Sequence, residues 1–365
     1  MKVCRVLGPV VSTVKHPTYQ GETLLSVQPV DADGHTALGA SYLAVDRAQA
    51  GEGDLVLVLM SGGASANWIA PADGVSFADK QAVTRALLRS GAHIGEINTV
   101  RKHLSRIKGG RLARHAFPAK LATIAISDVP GDDPSAIGSG PTVPDPTTLA
   151  DARAIVAKFK LDLPEAVTRA LNDAGNESAK PDDAAFAGGT FALAARPADS
   201  LRAAEKAVTA AGYDCISLGA DVEGEAREVA AAHAAMARDL REQGKRAVIL
   251  SGGELTVTMR GQGRGGPNQE YALALVEALA GMPAVAALAG DTDGTDGGGG
   301  AATDPAGAVV DGDSATRAKA LGLDPAAFLA DNNSTGFFAA LGDLLEPGPT
   351  YTNVNDIRAI VADRP

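Results

Sequence analysis

Four loops rich in small and acidic residues each follow a short apolar run, and their residue types suit the holding of phosphate and a divalent cation. The first, Ser61-Gly62-Gly63-Ala64-Ser65, sets consecutive small residues where backbone N–H groups can converge on an anion. An ordinary tight turn would use the same residues. The second, Ser127-Asp128-Val129-Pro130-Gly131-Asp132-Asp133, brings three carboxylates close together, and such a cluster repels itself unless a cation sits among them. Magnesium held by one or two carboxylates and by substrate phosphates is one answer; a solvated acidic turn is the other. The third loop, Ser251-Gly252-Gly253-Glu254, repeats Ser-Gly-Gly ahead of a carboxylate. The fourth, from Gly290 to Gly297, carries Asp291, Asp293 and Asp296. It fails as an EF-hand, because its sixth position is Asp296 and no Glu closes the twelve-residue frame.

A cationic stretch lies between the first two loops. From Ile97 to Ser127 there is no acidic residue, while Arg101, Lys102, Arg106, Lys108, Arg111, Arg114 and Lys120 all fall within it. A helix over 97–107 would bury Ile97, Val100, Leu104 and Ile107 and gather Asn98, Arg101, Lys102 and Ser105 on another face. Unaccompanied by acid, that face reads as a grip for phosphate or carboxylate, with a solvated basic face as the alternative. Farther on, Gly261-Gln262-Gly263-Arg264-Gly265-Gly266 matches G-x-G-x-x-G between an apolar run and a helix, so dinucleotide binding has to be weighed. The polar start of that helix at Pro267-Asn268 speaks against it. Asp291-Thr292-Asp293-Gly294-Thr295 also resembles the nucleophile motif of haloacid-dehalogenase-type phosphatases, but Asp296 stands where that family has an apolar residue. Asp331-Asn332-Asn333-Ser334 and Thr352-Asn353-Val354-Asn355-Asp356 could each cap a helix or form Asx turns.

The elements that must position these loops are strands. Leu55–Met60, Leu121–Ile126, Ala247–Leu250 and Ala284–Ala289 are nearly continuous apolar runs, the pattern of parallel strands covered on both faces. Helical segments are expected at Phe77–Ser90, with Ser76 and Asp79 as a capping box, and at 200–211, 223–243 and 268–279. Alternating strands and helices predict a doubly wound α/β architecture. A polar stretch over 177–189 marks the division, giving domains of 1–185 and 186–365.

The chain has 365 residues and 45% hydrophobic content, enough for two cores. Its net charge of −11 and 4% aromatic content argue against nucleic acid as a partner. No apolar stretch is long enough for a membrane span, and Val3 to Val14 is broken by Arg5, Pro9 and Ser12, unlike a secretory signal. Two cysteines, Cys4 and Cys215, supply no disulfide framework, so a cytoplasmic location is expected. Composition leaves a homo-oligomer open.

Taken in order, EINTVRKHLS and IKGGRLA (96–113), SDVPGDDPSAIGSGPTVPDP (127–146), GRGG and NQE (263–270), DGTDG (293–297), DNNS (331–334) and TNVND with Arg358 resemble the glycerate 2-kinase family, also labelled hydroxypyruvate reductase, whose C-terminal part is called MOFRL. The resemblance runs from about residue 52 to the end. It implies a Rossmann-like parallel-sheet domain followed by a smaller α/β MOFRL domain, with ATP- and Mg²⁺-dependent phosphorylation of D-glycerate at its 2-hydroxyl. It further implies that Ser61, Gly62, Gly63, Ser65, Asn98, Ser251, Gly252, Gly253 and Asn355 bind substrate or nucleotide. Lys102, Arg101, Asp128 and Arg264 would act in catalysis, and Asp132, Glu254, Asp293 and Asp296 would hold the metal. Phosphoryl transfer needs cations on the moving group and a carboxylate near the attacking hydroxyl.

Some positions depart from the family. An N-terminal Gly-Lys pair is not recognisable in residues 1–50, where Lys2 and Lys15 lack that context and His16-Pro17 is only a faint likeness. Pro267 stands where some members have Arg, and Tyr351 replaces a glycine. An NAD(P)H-dependent hydroxypyruvate reductase and an inactive paralogue that still binds ligand are the alternatives to the kinase.

Overall fold

The computed structural model describes residues 3–10, 23–30, 42–46, 55–298 and 301–364. Lys2, Lys15 and the His16-Pro17 pair lie outside the described residues. The chain divides into two compact units, 1–125 with 133–194 and 126–132 with 195–365. The division expected after residue 185 falls within the first unit, and the 126–132 segment groups with the second.

In the first unit, Leu55–Met60 pairs in parallel with Lys120–Ile126, from Leu55 opposite Lys120 to Met60 opposite Ala125, and Thr190–Ala195 completes a three-stranded sheet. This is the parallel sheet expected from the apolar runs. Strands Val3–Val10, Thr23–Val30 and Tyr42–Asp46 form a separate antiparallel meander. The Phe77–Arg89 helix opens on the expected capping box: Ser76 Oγ accepts from Asp79 N at 3.0 Å, and Ser76 N donates to Asp79 Oδ2 at 3.1 Å. Val83 and Leu87 of this helix pack against Ile97, Val100 and Leu104, and against Leu149, Val167 and Leu171. Each such side chain contributes about 1.5–3 kcal/mol on burial.

The second unit is mixed, not parallel. Its six-stranded sheet runs Leu344–Leu345, Gly307–Asp311, Val285–Asp291, Asp356–Ala362, Ala247–Ser251, Asp214–Ser217. Only the last pair is parallel. Val285–Asp291 is antiparallel to both neighbours, contrary to the expectation drawn from its apolar run. A run of apolar residues carries no information on strand direction: Val285, Ala287 and Ala289 are buried and Ala286 and Leu288 only partly so, a demand an antiparallel strand meets equally well. The Ala226–Glu242 helix packs on the Pro267–Ala278 helix, whose Tyr271, Leu273, Leu275 and Val276 are core residues. Among the described residues no helix is long and apolar enough to cross a membrane.

Candidate functional site

The first unit carries a cationic pocket of roughly 270 Å³. The Ser61-Gly62-Gly63 turn leads out of the parallel strand into the short Ala64–Asn67 helix and so delivers Ser65 to this pocket. Arg101 donates to Ser65 O at 2.8 Å and to Asn98 Oδ1 at 3.1 Å. Lys108 Nζ reaches the same Ser65 carbonyl at 2.5 Å, with Ser65 Oγ at 3.3 Å and Ser139 Oγ at 3.4 Å. Burial, reinforced by Arg101, Lys80 and Lys102 nearby, pushes the Lys108 ammonium down to about 6. Burial likewise lowers Arg101.

The expected cationic face needs correction. The helix runs Ile94–His103 and ends before Ser105, which instead accepts from the backbone of Ile107 and Lys108. Lys102 is 5% exposed and pairs with Asp145 at 3.1 Å, so it is not an unpartnered cation. His103 and Arg114 find Glu177 and Asp183. The acids that meet Lys102, His103 and Arg114 come from residues 145–183, far along the chain and close in space, while Arg106 faces Asp73. Three basic residues of the pocket went unassigned in the sequence: Lys108, inside the basic stretch, Lys80 and the exposed Arg85. The signal for Lys80 is its spacing, since Lys80, Val83 and Leu87 share one helical face and the latter two are core.

The second unit carries an acidic basin, also roughly 270 Å³, lined among others by Asp128, Glu254, Asp291, Asp296, Asn355 and Asp356. Burial and like charge set its electrostatics. Desolvation, then Asp356, Asp128 and Glu223, raises the Glu254 carboxyl, although its side chain still reaches solvent. Asp291 is raised first by burial and then, against the bond from Asp293 N, by the charges of Asp293 and Asp356. Asp356 is raised by burial and partly relieved by Arg358.

Arg358, 1% exposed, shapes the rear of this basin. It donates to Asp356 Oδ2 at 3.1 Å, to the Gly252 and Gly253 carbonyls at 2.5 and 2.9 Å, and to Ser251 Oγ at 3.2 Å. The Ser-Gly-Gly turn is thus held by its carbonyls and hydroxyl. Gly253 at φ 90° lies so close to Val222 that a Cβ would stand 2.2 Å from its N.

Several expected metal ligands are already engaged by other groups or lie outside the basin. Asp296 caps the Pro267–Ala278 helix, accepting from Asn268 N at 3.1 Å and Gln269 N at 2.8 Å. Asp293 accepts from Thr295 N at 2.8 Å in an Asx turn. Asp132 faces Arg196 at 3.9 Å and is not among the basin's lining groups. Arg264 is 75% exposed, 4.0 Å from Asp304, and also outside the lining. Asp291 and Asp356, which line the basin, were not assigned as ligands in the sequence; their clue is position, at the end of one strand and the start of its neighbour, opposite each other in register.

The G-x-G-x-x-G stretch has a packing explanation. Arg260 N and Gly261 N donate to Asn332 Oδ1 at 2.7 and 2.9 Å, Gln262 N to Asp331 Oδ1 at 3.0 Å, and Gly263 N to Asp331 O at 2.8 Å. A Cβ on Gly263 would lie 2.3 Å from that of Asn333. Gly261 and Gly263 admit the Asp331-Asn332-Asn333-Ser334 segment and Gly266 admits Asp296, not a pyrophosphate.

The basin's donor chemistry fits a hard divalent cation. Its carboxylates are oxygen donors with excess negative charge, and Asn355 Nδ2 is buried there without a hydrogen-bond partner. Among the described residues no three acidic, His or Cys side chains already converge as a ligand set. Magnesium asks for no such cage, since it keeps waters and takes one or two carboxylates with phosphate oxygens.

Two family models match: a domain of unknown function, DUF4147, over residues 6–172 and the MOFRL family over residues 247–356. The chain is 41% identical over 313 residues to the D-glycerate 2-kinase of Thermotoga maritima, covering 85% of this chain and 72% of that protein. A protein of Agrobacterium vitis provisionally named hydroxypyruvate reductase is 52% identical over 317 residues, covering 85% of this chain and 70% of that one. The crystal structure of the Thermotoga maritima glycerate kinase superposes with a TM-score of 0.76 at 39% identity, over 86% of this chain and 74% of that one. With these matches spanning both units, the chain belongs to the glycerate 2-kinase family and carries its MOFRL domain.

Proposed function

We propose that this chain transfers phosphate from ATP to the 2-hydroxyl of D-glycerate. The observation that carries the reading is the acidic basin of the second unit, where Asp128, Glu254, Asp291 and Asp356 gather with Arg358 as the cation on Asp356. One or two of the carboxylates of Asp128, Glu254 and Asp291 would hold Mg²⁺, which when bound would neutralise charge on ATP phosphates. Asn355 Nδ2, buried and without a partner, would donate to a nucleotide oxygen. Arg358 holds the Ser251-Gly252-Gly253 turn in place, so that its backbone is fixed before substrate arrives. In the first unit Arg101 keeps a cation beside Ser65 for an anionic partner. Lys102 orients that helix through Asp145 and acts at one remove.

The names carried by relatives divide between kinase and reductase. The packing role of Gly261 to Gly266 favours the kinase, because it removes the sequence feature on which a nicotinamide site would rest. The test is product formation from D-glycerate, ATP and Mg²⁺. 2-Phosphoglycerate is expected, with activity lost on chelation by EDTA and regained with excess Mg²⁺. Oxidation of NADH or NADPH by hydroxypyruvate, without ATP consumption, would overturn the proposal.

A further inference from the structure

Lys80 stands on the inward face of the Phe77–Arg89 helix, in line with Val83 and Leu87, and is 6% exposed. Long side chains at such positions ordinarily carry their ammonium out to water. Here the Nζ itself is buried and has no hydrogen-bond partner. It lines the first unit's pocket together with Arg85, Arg101 and Lys108, and no acidic side chain lines that pocket. Lys108 bonds only to the oxygens of Ser65 and Ser139, and Arg101 to Ser65 O and Asn98 Oδ1. Lys80, Arg101 and Lys108, with the exposed Arg85, therefore converge without a carboxylate, an arrangement that disfavours the three that are withdrawn from water in the absence of an anion. Ile69 and Phe77, 40% and 49% exposed, also line the pocket.

We infer that the Lys80, Arg101 and Lys108 pocket binds the oxyanion of a substrate, carboxylate or phosphate, and that Lys80 gains its partner only from that oxyanion. The chemistry of the ligand follows from the donors: two lysine ammonium groups and the Arg101 guanidinium, with Arg85, around one concavity suit the two or three oxygens of one anionic group. Burial lowers Lys80 to about 8, with Arg101 and then Arg111 adding to the effect, and an arriving anion would offset all three causes. The identity of the ligand, though not the existence of the site, rests on the glycerate kinase reading, which offers a glycerate carboxylate or a nucleotide phosphate.

Calorimetric titration of the full chain with D-glycerate, ADP and inorganic phosphate, each alone, tests this in Lys80→Met. The wild type should bind at least one of them, and the variant should bind it about 10- to 100-fold more weakly, the size of one charge-assisted hydrogen bond. A loss confined to glycerate assigns the pocket to the carboxylate; a loss for phosphate and ADP assigns it to phosphate. Methionine keeps the volume and removes an unpaired buried charge, so the unliganded variant should melt no lower than wild type. Should it fail to fold, Lys80→Gln reads the same affinities. Equal affinity of variant and wild type for all three ligands, or no binding of any by wild type, overturns the inference. The two proposals separate cleanly: turnover to 2-phosphoglycerate with affinities indifferent to Lys80 removes this one alone, whereas Lys80-dependent phosphate binding in a chain without kinase activity removes only the other.

Discussion

Arg358 commits all of its guanidinium nitrogens beneath the Ser251 to Gly253 turn, and Asp356 is the carboxylate that balances it. Removing one member of a buried pair costs about 3–5 kcal/mol because the other is left charged in a dry site. Arg358→Met should therefore lower stability by about that amount, and adding Asp356→Asn should recover part of the loss; urea unfolding of the single and double variants measures both. Additive losses would show that the pair is not coupled. Arg358→Lys should recover little, since one ammonium cannot span a hydroxyl, two carbonyls and a carboxylate. None of this geometry was legible in the sequence beyond the presence of Arg358 in a family motif. Lys80 and Lys102 show why: whether a lysine is buried, and with what, depends on elements far along the chain, and Asp145 sits 43 residues from Lys102.

At the scale of elements, local signals held where the cause is local. Ser76 and Asp79 make their capping box, and the apolar runs beginning near Leu55, Leu121, Ala247 and Val285 are strands. Strand direction was not legible, because Val285–Asp291 is apolar for burial and antiparallel through pairing with segments that follow it in the chain. The 261–266 loop gives the sharpest contrast between two glycine substitutions. Gly263→Ala forces backbone movement against Asp331 and Asn333 and should cost about 1–3 kcal/mol. Gly95→Ala, on a helix with open space around it, should be neutral or stabilising by up to about 1 kcal/mol. Chemical denaturation of both variants checks the pair, and equal effects would contradict the packing role.

The two units of the molecule differ in charge environment. The first unit buries cations that its own carboxylates do not neutralise in the pocket; the second gathers carboxylates that outnumber their cation. The lysines are lowered on folding, to about 6 for Lys108 and about 8 for Lys80, so the unfolded chain holds more protons and the first unit gains stability as pH rises from about 6 toward the ordinary lysine value. Asp291, Glu254 and Asp356 are raised on folding, so the folded basin holds more protons and the second unit loses stability as pH rises above the ordinary carboxyl range. His233, lowered to about 4 by burial and then by Arg358, adds the opposite slope only below 6.5. Between pH 6.5 and 8 the two units should therefore shift in opposite directions. Trp68, the single tryptophan, reports the first unit by fluorescence, while circular dichroism follows both. Phosphate should raise the Trp68 transition and Mg²⁺ the other; parallel shifts of both transitions with pH would contradict this account.

The union of residues 261–266 with residues 331–334 also bears on inheritance. A glycine that exists to admit Asn333 is free to change only when Asn333 does, so the two segments should drift together in descendants of this chain, as one trait written in two places. Judged alone, the first half imitates a dinucleotide fingerprint. Only the second half, some seventy positions away, reveals what the glycines are for.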